Sequence, residues 1–291
     1  IHHDEAELPQ DFVIMDSEEQ YRLIKKIVKE NSIDEKLFPI RSFQNFISSH
    51  KDKAIRSDNL EAQDNNLEHE IMSRVYNIYE NHTRSENLVD FSELLLKSYE
   101  VLKDNITLRD FYKNKFSHIL VDEFQDTNPL QYNWLKLLTS DNTKIMAVGD
   151  DDQSIYTWRG ARIENILEMQ KDYPDIKVIR LEQNYRSTKN ILDAANSLIK
   201  NNTSRWGKSL WTDKPEGEEI VCYEAFNDQA EARYIADQIT KKTNNNEFKF
   251  NEIGILYRTN AQSRVIEEAL MKSGIQYSIY GGLKFFDRAE I

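Results

Sequence analysis

The sequence predicts an α/β protein with a mostly parallel sheet, preceded by an N-terminal part that is all helix. Up to about residue 115 the apolar residues recur at helical period. From residue 116 short β-type runs, "HILVDE", "KIMAVGDDD" and "KVIRLEQNYR", alternate with polar clusters and helical stretches. The length, 291 residues, is enough for about two domains.

In the first part, "DSEEQYRLIKKIVKEN" places Ser17 and Gln20 at capping-box spacing and sets Leu23, Ile24, Ile27 and Val28 in an apolar stripe. "VDFSELLLKSYEVL" follows the same design, with Asp90 as the cap and Glu93 three positions on. Between them, residues 50–70 ("HKDKAIRSDNLEAQDNNLEHE") are polar enough to read as a solvated loop or an exposed helix. In the second part every β-type run ends in a polar cluster. Ligands of parallel sheets sit outside the carboxyl ends of the strands, so these clusters are expected to converge on one crevice. Further on, Ser187 caps a helix over "STKNILDAANSLIKNN", and "NNTSRWGKSLWTDKPEGEE" is a long loop. "IVCYEA" and "EIGILYR" read as strands framing the helix "DQAEARYIADQITKK", and Gly281 and Gly282 mark a boundary.

Composition narrows the function. Lys plus Arg number 38 against 50 Asp plus Glu, a net charge of −12, which argues against unspecific nucleic-acid binding and makes any such site local. The single cysteine, Cys222, excludes an intramolecular disulfide and a Cys-cluster zinc site, fits a reducing compartment, and reads as a small apolar residue of its run. No run approaches the roughly 20 apolar residues of a membrane span and no leader is seen, so the chain reads as soluble and intracellular. It starts at Ile1 rather than Met, which points to a missing N-terminal part.

Three strand ends carry the chemistry. "ILVDE" puts Asp122 and Glu123 on rigid backbone where one carboxylate can bind Mg²⁺ through oxygen and the next can orient or deprotonate a water, although the same acids could simply end a strand in solvent. "GDDDQSIYTWRGA" offers the neutral amide of Gln153, the fixed charge of Arg159, and two rings, Tyr156 and Trp158, two residues apart. In an extended segment both rings share a face on which unpaired bases can stack; the alternative, two core aromatics, sits badly with the polar flanks. "LEQNYRS" supplies Arg186, placed to stabilise charge on a transferring phosphoryl group, and Tyr185, which can stack on a purine; alone, the pair could equally be salt-bridged at the start of a helix. The phosphate cradle is missing. "GKS" at Gly207, Lys208 and Ser209 has Asn202 where a P-loop needs glycine, and no strand leads into it. His2 and His3 beside Asp4 and Glu5 read as solvated surface rather than a metal site.

Taken together, "VDEFQDTN", "VGDDDQSIYTWRGA" and "LEQNYRSTKNIL" resemble motifs II, III and IV of the superfamily 1 DNA helicases of the UvrD, Rep and PcrA group, and "ILYRTNAQSRVIEEAL" and "YGGLKFFDRAEI" resemble the segments that follow. "LPQDF…MDSEEQ" and "GKSLWTD" sit nearest the UvrD branch. The resemblance implies parts of two RecA-like (P-loop NTPase) domains. Residues 1–115 would be a helical insertion (1B-like), 116–182 the C-terminal half of the first domain (1A-like), 183–281 the first half of the second (2A-like) and 282–291 the start of a 2B-like insertion. It also implies ATP and Mg²⁺ as cofactors: Asp122 holds Mg²⁺ with Glu123 beside it activating water, Gln153 and Arg186 contact the γ-phosphate, and Tyr185 stacks on adenine. Tyr156 and Trp158 would stack on single-stranded DNA, with Arg159, Arg258 and Asn260 near the strand.

The implied activity is ATP-driven 3′ to 5′ translocation and unwinding, on single strands and single/double-strand junctions, in nucleotide excision repair, mismatch repair and replication. Repair proteins would be partners, in a bacterial cytoplasm at the nucleoid. Walker A and the motifs after these segments are not in the chain, so it is expected to be an internal fragment inactive alone. Thr157, where the family commonly has glycine, raises the prospect of a strained loop. Two other readings stay open: a non-catalytic single-strand-binding or regulatory module, and the helicase part of a helicase-nuclease.

Overall fold

Residues 2–61, 66–202 and 207–280 are described by a computed structural model of the chain, which divides into two compact units: residues 1–184 with 194–211, and residues 185–193 with 212–291. The boundary at Gly281 and Gly282 and the segment 282–291 lie outside the described residues.

The first unit opens with β1 (Val13–Ile14) and α1 (Ser17–Glu30). The cap of α1 is Asp16 rather than Ser17: its carboxylate accepts from the N–H groups of Glu18 and Glu19, and Glu19 returns a bond to the Asp16 N–H. The aspartate sits one residue earlier with the box glutamate in register, and the stripe still falls inward, with Ile24, Ile27 and Val28 buried. They pack against α2 (Ile40–Lys51) and α3 (Leu67–Ser85) around Phe43, Ile47, Met72, Val75, Tyr76 and Tyr79. β2 (Leu88–Val89) pairs in parallel with β1, and α4 (Phe91–Asp104) and α5 (Ile106–Lys115) complete the helical part. Asp90 caps α4 as expected, accepting from the Glu93 N–H at 2.8 Å.

The described part of the polar stretch 50–70, which leaves out residues 62–65, is not simply solvated. Lys51, 1% exposed, donates to Asp90 at 2.7 Å and pairs with Glu93 at 2.9 Å, and Tyr79 donates to the same Asp90 oxygen at 2.7 Å. Arg56 binds Glu80, Glu93 and Glu100. Charge counting along the chain could not anticipate this, because the partners arrive from α3 and α4. Burial opposes ionisation at both ends of the cluster, yet the opposite charges win: Lys51 is held above the ordinary lysine range by Asp90 and Glu93, and Glu93 is held below the carboxylate range by Lys51 and Arg56.

Asp52 goes the other way. Burial pushes its carboxyl up to about 6, with Asp90 adding to the rise and Ser92 and Lys51 opposing it. Its folded value lies above the ordinary 3.8, so the folded chain holds the extra proton between the two values. Stability contributed here therefore falls as pH rises through that window, and the deficit is complete above it. Asp52→Asn is expected to melt higher than the parent at about pH 7.5, with the gap closing near pH 4. A gap independent of pH would assign the effect to packing instead.

Beyond α5 come β3 (His118–Val121), α6 (Pro129–Leu138), β4 (Lys144–Ala147) and α7 (Glu164–Asp172). β3 and β4 are parallel and in register from His118 opposite Lys144 to Val121 opposite Ala147. One face of the pair, Ile119, Val121, Ile145 and Ala147, packs on Phe124, Tyr132, Leu135 and Met169, while Leu120 and Met146 on the other face are exposed. α6 starts by its local code: Asn128 and Gln131 form a capping box around Pro129 at the first helical position.

Three expected strands do not form ladders among the described residues. Residues 177–182, 220–225 and 252–258 lie outside strands, the first followed by an isolated parallel bridge between Gln183 and Trp211. A strand needs a neighbour for its backbone N–H and C=O groups, and no described segment lies alongside these runs in a ladder. Cys222 is accordingly exposed rather than packed. α8 (Lys189–Ile199) runs through residues of both units, and in the second unit α9 (Asp228–Asn244) and α10 (Ser263–Lys272) pack around Ala232, Ala236, Ile239, Ala269 and Leu270. The alternation of the 252–258 run survives without a ladder: Ile253 and Ile255 turn to that core, whereas Leu256 is 99% exposed.

Candidate nucleotide and nucleic-acid site

The parallel ladder continues past the named strands and stitches two acidic strand ends together. The Val148 N–H donates to the Val121 carbonyl at 2.8 Å, and the Phe124 N–H to the Val148 carbonyl at 2.9 Å. Residues 122–125 therefore lie beside 148–150. Asp122 and Glu123 are exposed at this mouth, and Asp122 Oδ1 accepts from the Glu123 N–H at 2.9 Å. Glu123 turns the chain with φ 51° and ψ 42°, left-handed backbone that costs a non-glycine residue about 1–2 kcal/mol. Two exposed carboxylates on fixed backbone are hard oxygen donors of the kind Mg²⁺ takes.

Asp150 organises the second strand end. Its side chain accepts from the Asp152 N–H at 3.0 Å and from Gln153 Nε2 at 2.7 Å, and forms an ion pair with Lys208, whose ammonium also lies 4.0 Å from Asp152. Burial acts against its charge, but Lys208 and Gln153 hold the carboxyl below the usual aspartate range. Lys208 of the "GKS" stretch thus serves as a counter-ion to the acidic loop. Asp150, Asp151 and Asp152 have ligand atoms within 4.8 Å of one another, and the Lys208 ammonium pairs with the first of them and lies near the third.

The aromatic pair follows at once. Thr157–Arg159 form a 3-10 turn instead of extended chain, closed by the Arg159 N–H to the Tyr156 carbonyl at 2.8 Å. The rings of Tyr156 and Trp158 nevertheless lie side by side, 6.4 Å apart and tilted by 47°, and Arg159 sits over both, 5.1 Å and 4.7 Å from their centres. Trp158 is 74% exposed. Thr157 does not have positive φ; that conformation falls on Gly160, at 86°, so the feared strain at Thr157 is absent. Trp158 and Arg159 line a groove of about 850 Å³ together with Phe46, Asp52, His69 and Phe91 of the helical part. Phe91 was missed by sequence reading. Its signal was an aromatic at the first position of α4, off the buried stripe of that helix and 64% exposed.

Residues 1–174 match the UvrD/REP helicase N-terminal domain and residues 179–291 the UvrD-like helicase C-terminal domain. The chain belongs to the UvrD-like helicase family. It is 50% identical to DNA helicase II of Escherichia coli (strain K12) over 290 residues, covering 100% of this chain and 40% of that protein. Against DNA helicase II of Haemophilus influenzae the figure is 48% over 290 residues, again 100% and 40% of the two chains. ATP-dependent DNA helicase PcrA of Staphylococcus epidermidis is 43% identical over 288 residues, 99% of this chain and 39% of that one. The chain thus spans about 40% of the length of these curated relatives.

Of the residues singled out in this UvrD-like sequence, Asp122, Glu123, Gln153, Tyr156, Trp158 and Arg159 lie in the first unit, on the neighbouring strand ends and the turn behind them. Tyr185, Arg186, Arg258 and Asn260 lie in the second. There Tyr185 and Arg186 are exposed, and the Arg186 carbonyl accepts from Lys214 at 2.8 Å. The N–H groups of Arg258 and Thr259 both donate to Gln262 Oε1 at 3.0 Å, which sets the exposed Arg258 and Asn260 at the start of the turn before α10. His2 is half-buried against Tyr112, with Nε2 2.8 Å from its hydroxyl, which corrects the expectation of free solvation. No helix among the described residues is long and apolar enough to cross a membrane.

Proposed function

We propose that this chain supplies part of the ATP-hydrolysing and single-strand-gripping machinery of a DNA helicase that moves 3′ to 5′ and acts in repair and replication. The observation that carries the reading is the direct succession, on two hydrogen-bonded strand ends, of paired acids, an amide and an exposed Tyr–Arg–Trp stack. Asp122 would hold Mg²⁺, which when bound neutralises phosphate charge. Glu123 orients and deprotonates the attacking water, and Gln153 senses the γ-phosphate. Arg186 and Tyr185 bind the nucleotide, by phosphate contact and stacking. Tyr156, Trp158 and Arg159 hold bases, Phe91 offers a further exposed ring in the same groove, and Arg258 and Asn260 contact the strand. The domain limits proposed are those read from the sequence: a 1B-like insertion to about residue 115, a 1A-like part over 116–182, a 2A-like part over 183–281 and the start of a 2B-like insertion over 282–291.

The sequence contains no phosphate cradle. The purified chain alone is therefore expected to show no Mg-ATPase activity; turnover lost on Glu123→Gln in that same preparation would refute this. The DNA role is tested in the complete gene product by Trp158→Ala. Loss of one stacking ring, worth about 1–3 kcal/mol, corresponds to roughly 5- to 150-fold weaker binding of an oligonucleotide without change in ATP affinity. Equal losses for both ligands would point to misfolding, and unchanged DNA affinity would remove Trp158 from the strand path.

A further inference from the structure

One side chain joins the two strand ends and has no assigned role. Gln125 is 1% exposed. Its Nε2 donates to Glu123 Oε2 at 2.7 Å, and its Oε1 accepts from the Asp150 N–H at 2.9 Å. The two partners fix the orientation of the amide, because a carboxylate can only accept and a backbone N–H can only donate. Gly149 makes room for it: a β-carbon there would stand 2.8 Å from Gln125 Oε1 and 3.2 Å from the Gln125 backbone nitrogen. Asp150, bound through its backbone, is the residue whose side chain accepts from Gln153.

We infer that Gln125 is a positioning residue: it holds the Glu123 carboxylate in one orientation and ties it, through Asp150, to Gln153. The inference rests on the proposed role of Glu123 as the base. An exposed carboxylate on left-handed backbone has several staggered orientations open to it, and a general base acts only when aligned with the proton it removes. The buried amide selects one orientation and indexes it to the adjacent strand. Any shift of the 149–153 loop therefore reaches the base through two hydrogen bonds.

The test is steady-state ATP turnover of the complete gene product in four variants, each with its melting temperature. Gln125→Glu is expected to lower kcat about 10- to 100-fold. Gln125→Met and Gly149→Ala, which remove or displace the amide without adding charge, should lower kcat at least about tenfold while leaving KM for ATP within about threefold. They keep the test open if the charged variant does not fold. Glu123→Gln separates the two ideas. If it abolishes turnover while folded Gln125→Met and Gly149→Ala keep the parent kcat and KM for ATP, Gln125 is structural only and the inference is overturned. If Glu123→Gln leaves turnover intact, the role of Glu123 fails, and the positioning role with it.

Discussion

Replacing Glu123 by glutamine in the complete gene product is expected to lower ATP turnover by about 10²- to 10⁴-fold, the contribution of a positioned general base. The substitution is nearly isosteric, so the left-handed turn at residue 123 and the bond from Gln125 can persist, with the new amide oxygen accepting in place of the carboxylate. What is lost is the ability to take a proton. Nucleotide and oligonucleotide affinities should therefore stay close to those of the parent, and the variant should hold ATP without consuming it. Turnover within tenfold of the parent would sink the assignment and leave Asp122 and its neighbours as a binding site whose base lies elsewhere.

The second large effect concerns stability and lies in the helical part. Lys51→Met is expected to destabilise the fold by about 3–5 kcal/mol at neutral pH, because it leaves Asp90 and Glu93 buried without their shared cation. Methionine is close to the lysine stem in length, so the loss reports mainly on charge, including the ammonium that lies 5.2 Å from the centre of the Tyr79 ring. The pH dependence has a definite sign. Glu93 is held below its ordinary value of 4.5, so the stability it contributes is fully present above that value and disappears as pH falls through its folded value. The gap between parent and variant in urea unfolding should accordingly be largest near neutrality and narrow in acid. A cost below about 1 kcal/mol, typical of exposed ion pairs, would show that the cluster is solvated in solution.

These two expectations differ in how readable they were. Asp122 and Glu123 announce themselves within a few residues, since an apolar run ending in acids is a local pattern, and the same holds for Gln153, Trp158 and Arg159. Asp90 as the cap of α4 was equally local. Lys51 was not: its Asp90 partner lies 39 residues away, and nothing in a stretch as polar as 50–70 distinguishes a buried lysine from a solvated one. Gln125 stood in plain view inside "VDEFQDTN", but its amide matters only because Asp150, 25 residues on, arrives at its oxygen. The strands expected at 177–182, 220–225 and 252–258 show the converse. A β-type apolar run is a property of the segment, whereas a ladder is a property of a pair, and among the described residues these runs have the first without the second.

The sequence by itself determined the helical period of the first part, the α/β alternation of the second, the acids at the strand mouths and the family to which they belong. Each of these is written in residues within a turn or a strand of one another, where backbone geometry alone sets which side chains share a face. Tertiary structure alone decided which charges are buried, that Lys208 pairs with Asp150 of the acidic loop, and that Gln125 bridges two strand ends. Those outcomes depend on which distant segments meet, and desolvation and hydrogen bonding act only once they have met.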